Sequence, residues 1–372
     1  MARATLQTIA DRVGVSRMTV SNAFSRPTQL SSALRDQILA VAEEIGYVGP
    51  NPTARALASG STGAVGLVLS DTLSYSLTDE VAMTFLAAIA TELGPSGLAL
   101  TLLSDTPREG IVPARDVAMD GALVYSCDPE STAVSWLRRR KLPMVFVDQA
   151  PAPGIASVNV DDRSGARAAA QHVVDLGHRR VAVVTTGYRG TYGVLTEPLK
   201  TAAANTERER LIGWLEPLEQ AGIEPVVVRR PPGNPGDAGH GAARTLLDAH
   251  PRPTAVLCYS DAVAVGVIRA VQEAGLRVPE DVSVVGFDDN PVAGRIRPAL
   301  TTVSQDVTAK GRAAITALTA AIERAKVGGP AGRARHLVLP TELVLRDSSA
   351  PPPRKSPPPR KSPPPRKSAR KV

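Results

Sequence analysis

The chain has 372 residues, of which 43% are apolar, 21% charged and only 3% aromatic, a length that predicts two or three domains. No apolar run reaches the roughly 18 residues that a membrane span needs, and the residues after Met1 form no apolar signal-peptide core. Two cysteines, Cys127 and Cys258, exclude a disulfide framework and a cysteine-based zinc module. We therefore expect a cytoplasmic protein with two buried thiols.

The net charge of +7 is concentrated at the C-terminal end. Residues 351–372 read PPPRKSPPPRKSPPPRKSARKV, with eight Lys or Arg residues and no acidic residue, so residues 1–350 are close to neutral. Triple prolines with almost no apolar residue predict a disordered, extended tail over 347–372. Two roles stay open for this tail, a solubilising segment or an arm that binds DNA phosphates.

Residues 1–49 show the hydrophobic spacing of three short helices. The first precedes a glycine at position 14, Ser16 is a good N-cap for the second, and Gly46 ends the third. A second helix that lies in a DNA groove must expose polar side chains, and here these are Arg17, Thr19, Ser21 and Asn22. The pattern favours a DNA-binding helix-turn-helix, and the alternative is an ordinary helical hairpin with a solvated face.

Residues 50–63 form a predicted hinge, because prolines open the segment and glycines close it. Between them, Thr53–Ser59 can form only about two helical turns, which need a partner to be stable.

From Val65 onward, short apolar runs alternate with helical stretches of about 10–18 residues. This alternation predicts an α/β fold with doubly wound parallel sheets, and the length of 64–346 predicts two lobes with a cleft. The predicted strands are Val65–Leu69, Leu98–Leu103, Ala122–Tyr125, Met144–Val147, Val181–Thr185, Val226–Val228, Ala255–Cys258 and Val282–Phe287.

A series of ordered motifs resembles the LacI family of transcriptional regulators over about residues 1–346. In the headpiece these are Thr8-Ile9-Ala10-Asp11, Gly14-Val15-Ser16, Thr19-Val20-Ser21, Glu43-Glu44-Ile45-Gly46-Tyr47 and Asn51-Pro52-Thr53-Ala54-Arg55-Ala56-Leu57. In the body they are Phe146-Val147-Asp148, Val158-Asn159-Val160-Asp161, Leu176-Gly177-His178-Arg179-Arg180, Arg208-Glu209-Arg210-Leu211-Ile212-Gly213-Trp214, Ser260-Asp261, Val284-Val285-Gly286-Phe287-Asp288-Asp289 and Leu300-Thr301-Thr302-Val303. The resemblance implies a homodimeric DNA-binding regulator with a sensor domain like that of periplasmic binding proteins.

The resemblance also implies a set of DNA contacts. Arg17, Met18 and Asn22 would face base edges, Leu57 would insert into the minor groove from the hinge helix, and the operator would be a near-palindrome. Met18 cannot hydrogen-bond a base edge, so it reads a thymine methyl group or nothing. The alternative for Leu57 is packing on the headpiece. The remaining predicted DNA contacts are Thr5, Thr19, Ser21, Tyr47 and Arg55.

A small-molecule effector would lie at the carboxyl ends of the parallel strands. The residues that the resemblance places there are Asp71, Tyr75, Asp148, Asn159, Asp161, Arg208, Asp261 and Gln305. Carboxylates and a guanidinium suit a polyhydroxylated ligand of the sugar or nucleoside class. Two segments, 71–79 and 232–237, depart from the family pattern and argue against a simple pyranose. Tyr188 or Tyr192 is a candidate for the missing aromatic, and Asp288 is either a ligand contact or a structural pair at the lobe junction.

The sequence gives no support for catalysis. It has no Ser–His–Asp arrangement, no metal-ligand spacing, and glycines at 233–241 that fit neither dinucleotide nor phosphate-loop motifs. We therefore expect no enzyme activity, no cofactor and no metal.

The absence of leucine heptads near the C-terminal end predicts a dimer rather than a tetramer. The predicted function is a repressor in the cytoplasm, at the nucleoid, and the alternative is an architectural DNA-binding protein that uses the basic tail.

Overall fold

The computed structural model describes residues 4–25, 27–49, 51–70, 77–105, 110–128, 130–187, 191–328 and 334–353. The chain divides into two compact units. The first unit comprises Met1–Val65 with the short segments Gly97–Ala99 and Ala118–Asp120, and the second comprises the rest of the chain. Within the described residues, no helix is long and apolar enough to cross a membrane.

The first unit contains four helices. They are α1 (Leu6–Val13), α2 (Arg17–Ser25), α3 (Ser32–Glu44) and α4 (Pro52–Ser59). The first three helices surround a small apolar core made of Ile9, Ala10, Val20, Ala23, Ile38 and Ala42. Gly14, with φ at +77°, makes the left-handed turn between α1 and α2, and the Ser16 hydroxyl then accepts a hydrogen bond from the Thr19 amide at 3.0 Å. These two features reverse the chain sharply and direct one face of α2 outward.

The first lobe of the body is built on a six-stranded sheet with the strand order β12-β5-β4-β3-β1-β2. Its strands are β1 (Ala64–Leu69), β2 (Ala99–Ser104), β3 (Gly121–Tyr125), β4 (Met144–Val147), β5 (Ala156–Val160) and β12 (His336–Leu339). Parallel pairing joins β3, β4, β5 and β12. The helices of this lobe are α5 (Glu80–Leu93), α6 (Pro113–Asp116), α7 (Thr132–Arg139) and α14 (Val307–Lys326), and α14 packs against both α5 and the sheet.

The second lobe has a five-stranded sheet with the order β10-β9-β6-β8-β7. Its strands are β6 (Val181–Thr185), β7 (Gly193–Leu195), β8 (Val226–Arg229), β9 (Ala255–Cys258) and β10 (Ser283–Val285), and β7 alone among these paired strands is antiparallel to its neighbour. The helices are α8 (Asp162–Asp175), α9 (Pro198–Thr201), α10 (Asn205–Gln220), α11 (Pro235–Leu247), α12 (Asp261–Glu273) and α13 (Pro291–Arg295). Close packing of α8 on α10 depends on Gly213, where a Cβ would lie 2.3 Å from the Arg163 carbonyl oxygen.

The lobes share a short two-stranded ribbon. In it, β11 (Thr302–Gln305) pairs in antiparallel fashion with β13 (Thr341–Val344). Since β5 leads directly into α8, β11 into α14, and β12 into β13, the chain passes between the lobes three times. The predicted two-lobed α/β class with a helix-turn-helix headpiece is confirmed.

The C-terminal end of the fold lies beyond the predicted boundary at residue 346. Ser348 is fully buried. Its hydroxyl donates to the Val284 carbonyl at 2.6 Å and accepts from the Thr301 amide at 2.8 Å. The His178 ring donates from Nε2 to the Ala350 carbonyl at 2.9 Å. Residues 347–350 therefore belong to the second lobe, because their polar groups satisfy buried partners there. Residues 354–372 of the predicted tail lie outside the described residues.

Candidate functional site

The outward face of α2 carries the headpiece residues with recognition chemistry. Arg17 is exposed, and Met18 is 70% exposed although it is apolar. Val20 and Ala23, on the opposite face, are buried in the three-helix core. Tyr47 packs edge-on against Phe24, with ring centroids 5.6 Å apart. The core thus fixes α2 firmly while its polar face remains open to a partner.

Helix α4 is short and presents its one large apolar side chain to solvent. The Asn51 side chain caps its start, accepting from the Thr53 and Ala54 amides at 2.8 and 3.3 Å, and Gly60 ends it with φ at +66°. Leu57 is 86% exposed. An eight-residue helix with an exposed leucine gains little stability from its own packing, so it is suited to a role that involves a partner surface.

Asp120 fastens the chain just after α4. Its carboxylate accepts from the Ser61 hydroxyl at 2.6 Å, the Thr62 amide at 2.6 Å, the Thr62 hydroxyl at 2.8 Å and the Gly63 amide at 3.1 Å. Burial raises the pKa of Asp120, but these hydrogen bonds outweigh it, so the pKa is lowered. We call this set of contacts the hinge clasp. The clasp therefore joins the end of the hinge to residues 118–120 of the same unit.

A cavity of about 320 Å³ opens between the two lobes of the body, in the size range of small-molecule sites. The first lobe contributes Leu69, Ser70, Asp79, Val81, Ala82, Tyr125, Ser126 and Asp148. The second lobe contributes Thr186, Gly187, Tyr192, Thr206, Arg210, Arg230, Pro231, Pro232, Gly233, Pro235, Tyr259, Ser260 and Asp288, and Gln305 lies at the junction. The lining combines tyrosine rings with charged groups of both signs, which suits a polar ligand that has flat apolar faces.

Arg210 is the central cation of the cavity. Its Nε donates to Asp162 at 2.8 Å, Nη2 lies 3.5 Å from an Asp288 oxygen, and Nη1 donates to the Tyr259 carbonyl. The guanidinium also lies over the Phe287 ring, 3.6 Å from its centroid. A planar guanidinium held from several sides has a fixed orientation, which favours directional hydrogen bonds to a ligand.

Asp288 is held in this network from both lobes. Gln305 Nε2 donates to the same Asp288 oxygen at 2.7 Å, and Asp288 has a left-handed φ of +113°. Burial raises the pKa of Asp288 to about 7 although Arg210 opposes the shift, and burial likewise raises the pKa of Asp162 to about 6. These carboxyl groups can therefore change protonation near neutral pH, which is characteristic of functional sites.

Comparisons with known proteins match two parts of the chain to known families. Residues 5–51 match the family model of bacterial regulatory proteins of the lacI family, and residues 170–349 match that of a periplasmic binding protein-like domain. The chain is 36% identical over 361 residues to an HTH-type transcriptional regulator of Mycobacterium tuberculosis, which covers 94% of this chain and 98% of that protein. The chain belongs to the LacI family.

Two further similarities extend the same result. The HTH-type transcriptional regulator IpsA of Corynebacterium glutamicum is 36% identical over 317 residues, with 82% of this chain and 88% of that protein covered. A solved complex of the transcriptional regulator CelR with cellobiose superposes with a TM-score of 0.66 at 28% identity, covering 93% of this chain and 100% of that chain. As a LacI-family member, this chain is a DNA-binding transcriptional regulator, and the resemblance inferred from its motifs is confirmed.

The predicted DNA contacts of this LacI-family chain lie on the first unit and stay predictions residue by residue. Thr5 caps α1 through a hydrogen bond from the Thr8 amide, and the Thr19 hydroxyl lies 2.8 Å from that of Ser16. Arg55 is exposed on α4 beside Leu57. Ser21 and Asn22 are half-buried on α2, as is Tyr47 beyond α3.

The predicted effector contacts fall into three groups. Asp148 and Gln305 line the cavity. Asn159, Asp161, Arg208 and Asp261 do not, and Asp71, Tyr75 and Tyr188 lie outside the described residues. Asn159 binds the Gln149 backbone and Asp161 caps α8. Asp261 is fully buried and accepts from the Asn290 amide at 2.7 Å and from the Thr302 hydroxyl.

The structure places Arg210 of α10 in the cavity, and not the predicted Arg208. Arg208 is exposed and donates to the Leu199 carbonyl at 3.2 Å, whereas Arg210, two residues later, lies in the cavity. Residues two apart lie about 200° apart around a helix, so only one of them can face inward. The burial pattern supplies the signal, because Leu211 and Trp214 face the same core as Arg210. Tyr192, named as a substitute aromatic, does line the cavity, as do the unpredicted Tyr125 and Tyr259.

Proposed function

We propose that this regulator is a homodimeric repressor whose operator affinity is set by a small, uncharged, polyhydroxylated effector bound in the interlobe cavity. The observation that carries the effector class is Asp148. It lines the cavity, is 6% exposed, and its Oδ1 has no hydrogen-bond partner among the described residues. A buried acceptor without a donor costs about 1–3 kcal/mol, which a ligand hydroxyl would recover.

The charges of the lining support the same class of effector. Asp79, Asp148 and Asp288 face Arg210 and Arg230 across the cavity. A polyol can donate to each of these carboxylates and accept from Arg210, so a neutral ligand can use both kinds of group. Tyrosine rings at 125, 192 and 259 offer apolar faces for a sugar or nucleoside ring. The cellobiose bound to CelR is a ligand of this chemical class.

Effector binding would reach DNA through the hinge. Closure of the lobes in a dimer would change the spacing of the two α4 helices, which are stable only when they are paired in the minor groove with Leu57 inserted. Repression follows because a dimer on a near-palindromic operator occludes the promoter, and the protein would act at the nucleoid in the cytoplasm. The predicted boundaries 1–49, 50–63 and 64–346 assign recognition, coupling and sensing to separate segments.

A ligand screen tests the effector class. Purified protein is heated with cellobiose, D-ribose, D-glucose, D-sorbitol, adenosine and, as an anionic contrast, glucose 6-phosphate. A ligand at 100 times its Kd raises the stability by about 2.7 kcal/mol, which is visible as a higher Tm. The positive ligand is then added to protein on operator DNA selected from a random pool, and DNA retention is measured by fluorescence anisotropy. Stabilisation by the anion alone would refute the neutral-polyol proposal.

A further inference from the structure

A lysine is completely buried in the first lobe. Lys310 is 0% exposed and lies on the inward face of α14, where its helical neighbours Val307 and Ala314 are also buried. Its Nζ donates to Asp148 Oδ2 at 2.6 Å and to Gln305 Oε1 at 2.9 Å. Lysine is rarely buried fully unless it is paired, so this position has a specific electrostatic role.

The first effect of Lys310 is on Asp148. The ammonium group binds one carboxylate oxygen, Oδ2, and leaves the other, Oδ1, buried without a partner among the described residues. Asp148 also has a left-handed φ of +55°, so its direction is held by the pairing rather than by an ordinary extended backbone. The pair therefore presents a charged acceptor to the cavity in one fixed orientation.

The second effect of Lys310 is on Gln305. An ammonium group can only donate, so the amide atom that faces Lys310 must be the oxygen Oε1. The nitrogen Nε2 then faces Asp288 and donates to it at 2.7 Å. Lys310 thus determines which hydrogen-bonding group Gln305 turns to each side, and it links Asp148 of the first lobe to Asp288 of the second.

Lys310 also balances a cluster of acids. Its positive charge lowers the pKa values of Asp162 and Asp288, opposing the burial that raises them. Within the described residues, it faces titratable groups from four other elements, namely Tyr125 in β3, Asp148 after β4, Asp162 in α8 and Asp288 after β10. Without Lys310, these carboxylates would lose the cation that lies on the first lobe.

We propose that Lys310 is a positioning residue of the effector cavity, which keeps Asp148 as a charged acceptor with its buried Oδ1 unpaired for a ligand hydroxyl and fixes the orientation of the Gln305 amide. The proposal rests on the proposed function, because it assumes that the cavity binds the effector. A lysine here selects ligands that donate to Asp148. An apolar residue at the same position would leave this carboxyl group without its counter-ion and would change the hydrogen bonds that the cavity offers.

The first test needs no ligand. Lys310→Met keeps the length of the side chain and removes its charge, and Lys326→Met is the matched control on the exposed last turn of the same helix. The Tm of the whole chain is measured at pH 5 and pH 8. We expect Lys310→Met to lower the Tm by about 6–10 °C at pH 8 and by less than half as much at pH 5. Lys310 lowers the pKa values of Asp162 and Asp288, which stand at about 6 and about 7, so its charge stabilises carboxylates that are ionised at pH 8 and largely protonated at pH 5. A decrease of equal size at both pH values would overturn the proposal, since a lysine that only fills space has no pH dependence.

A double variant keeps the test decisive if Lys310→Met does not fold. Asp148→Asn with Lys310→Met removes both charges at once, so we expect it to recover at least half of the decrease in Tm at pH 8. A double variant as unstable as Lys310→Met, or equally unfolded, would overturn the proposal.

The second test uses cellobiose, D-ribose, D-glucose and D-sorbitol, with affinity measured by calorimetry at pH 7.5. For whichever of these binds the wild-type chain, Lys310→Met and the double variant should both weaken the Kd by about 10–100-fold, the effect expected for one hydrogen bond to a charged group. Lys326→Met should bind as the wild type does. An unchanged Kd in Lys310→Met would overturn the proposal. If the wild-type chain binds none of the four, the proposed effector class fails, and the pH-dependent Tm still decides the role of Lys310.

Discussion

Replacing Asp120 with alanine should release the end of the hinge while leaving the cavity intact. The substitution removes a carboxylate that accepts four hydrogen bonds from Ser61, Thr62 and Gly63. Because Asp120 is half-buried, each bond contributes at the low end of the usual range, about 0.5–0.75 kcal/mol, so the clasp as a whole stabilises the hinge exit by about 2–3 kcal/mol. Asp120 does not line the cavity, so we expect effector affinity to stay within about twofold of the wild type.

Hydrogen exchange measures this release directly. The Thr62 and Gly63 amides donate to the carboxylate, and a destabilisation of 2–3 kcal/mol corresponds to exchange that is about 30–150-fold faster at these two positions. Operator affinity should fall in parallel, because residues 61–63, which follow the hinge helix, are then no longer held by the carboxylate of Asp120. Asp116→Ala, which removes a nearby acid paired with Arg115, is the control and should leave both readouts unchanged. Unchanged exchange at Thr62 and Gly63 in Asp120→Ala would refute the clasp.

Three other changes test the remaining parts of the molecule. Leu57→Ala should weaken binding to the selected operator by at least tenfold. It should not lower the Tm, because the side chain is 86% exposed. Equal operator affinity of the variant and the wild type in an anisotropy titration would contradict the role of Leu57. Burial raises the pKa of Asp288 to about 7. The carboxyl group therefore contributes most to the free energy of unfolding below about pH 4, and this contribution decreases as the pH rises to about 7. Affinity for a ligand that donates a hydroxyl should rise over the same pH range, and this pH dependence should disappear in Asp288→Asn. Truncation after Pro353 removes all eight Lys and Arg residues of the tail but spares the buried Ser348. The truncation should make the salt dependence of non-specific DNA binding shallower. The slope of log affinity against log salt should change by up to about 0.9 for each phosphate that the tail neutralises, and base preference should be retained. An unchanged slope would leave the tail without a DNA role.

The order of the regular elements could be predicted well from local patterns. Each of the eight predicted strands has a counterpart, because parallel strands buried on both faces have nearly continuous apolar sequences. Strand β5 escaped this criterion since its sequence, Ala-Ser-Val-Asn-Val, alternates with polar residues that are nevertheless buried. Ser157 bonds to His336 and Asn159 bonds to the Gln149 backbone, so their polarity is satisfied inside the fold. Strands β12 and β13 were missed because their side chains are exposed or half-buried, so neither belongs to the continuous buried apolar runs that mark interior strands.

The two sites differed in how far sequence reasoning could reach. Exposure on α2 follows from one helix and its apolar stripe, so Arg17 could be assigned to the open face from local spacing, whereas Met18 was assigned there by the family resemblance. The cavity depends instead on segments that are far apart in the chain, since Asp148 and Lys310 lie 162 residues apart. A helical pattern does mark Lys310, because a charged residue interrupts the buried stripe that runs from Val307 to Ile322.

The partner of such a charge cannot be read from one helix, because it depends on which strand ends beside that helix in the folded lobe. The direction of each hydrogen bond then follows from chemistry rather than from spacing. Once an ammonium group faces Gln305, its amide has one permitted orientation, and Asp288 must accept from it. Two cavity carboxylates, Asp148 and Asp288, also have left-handed backbones directly after strands, a conformation that aspartate tolerates better than most residues. An aspartate at the carboxyl end of a buried parallel strand and a charged residue in an apolar helical stripe are therefore sequence signals that mark single members of this network, and the fold decides which of them pair.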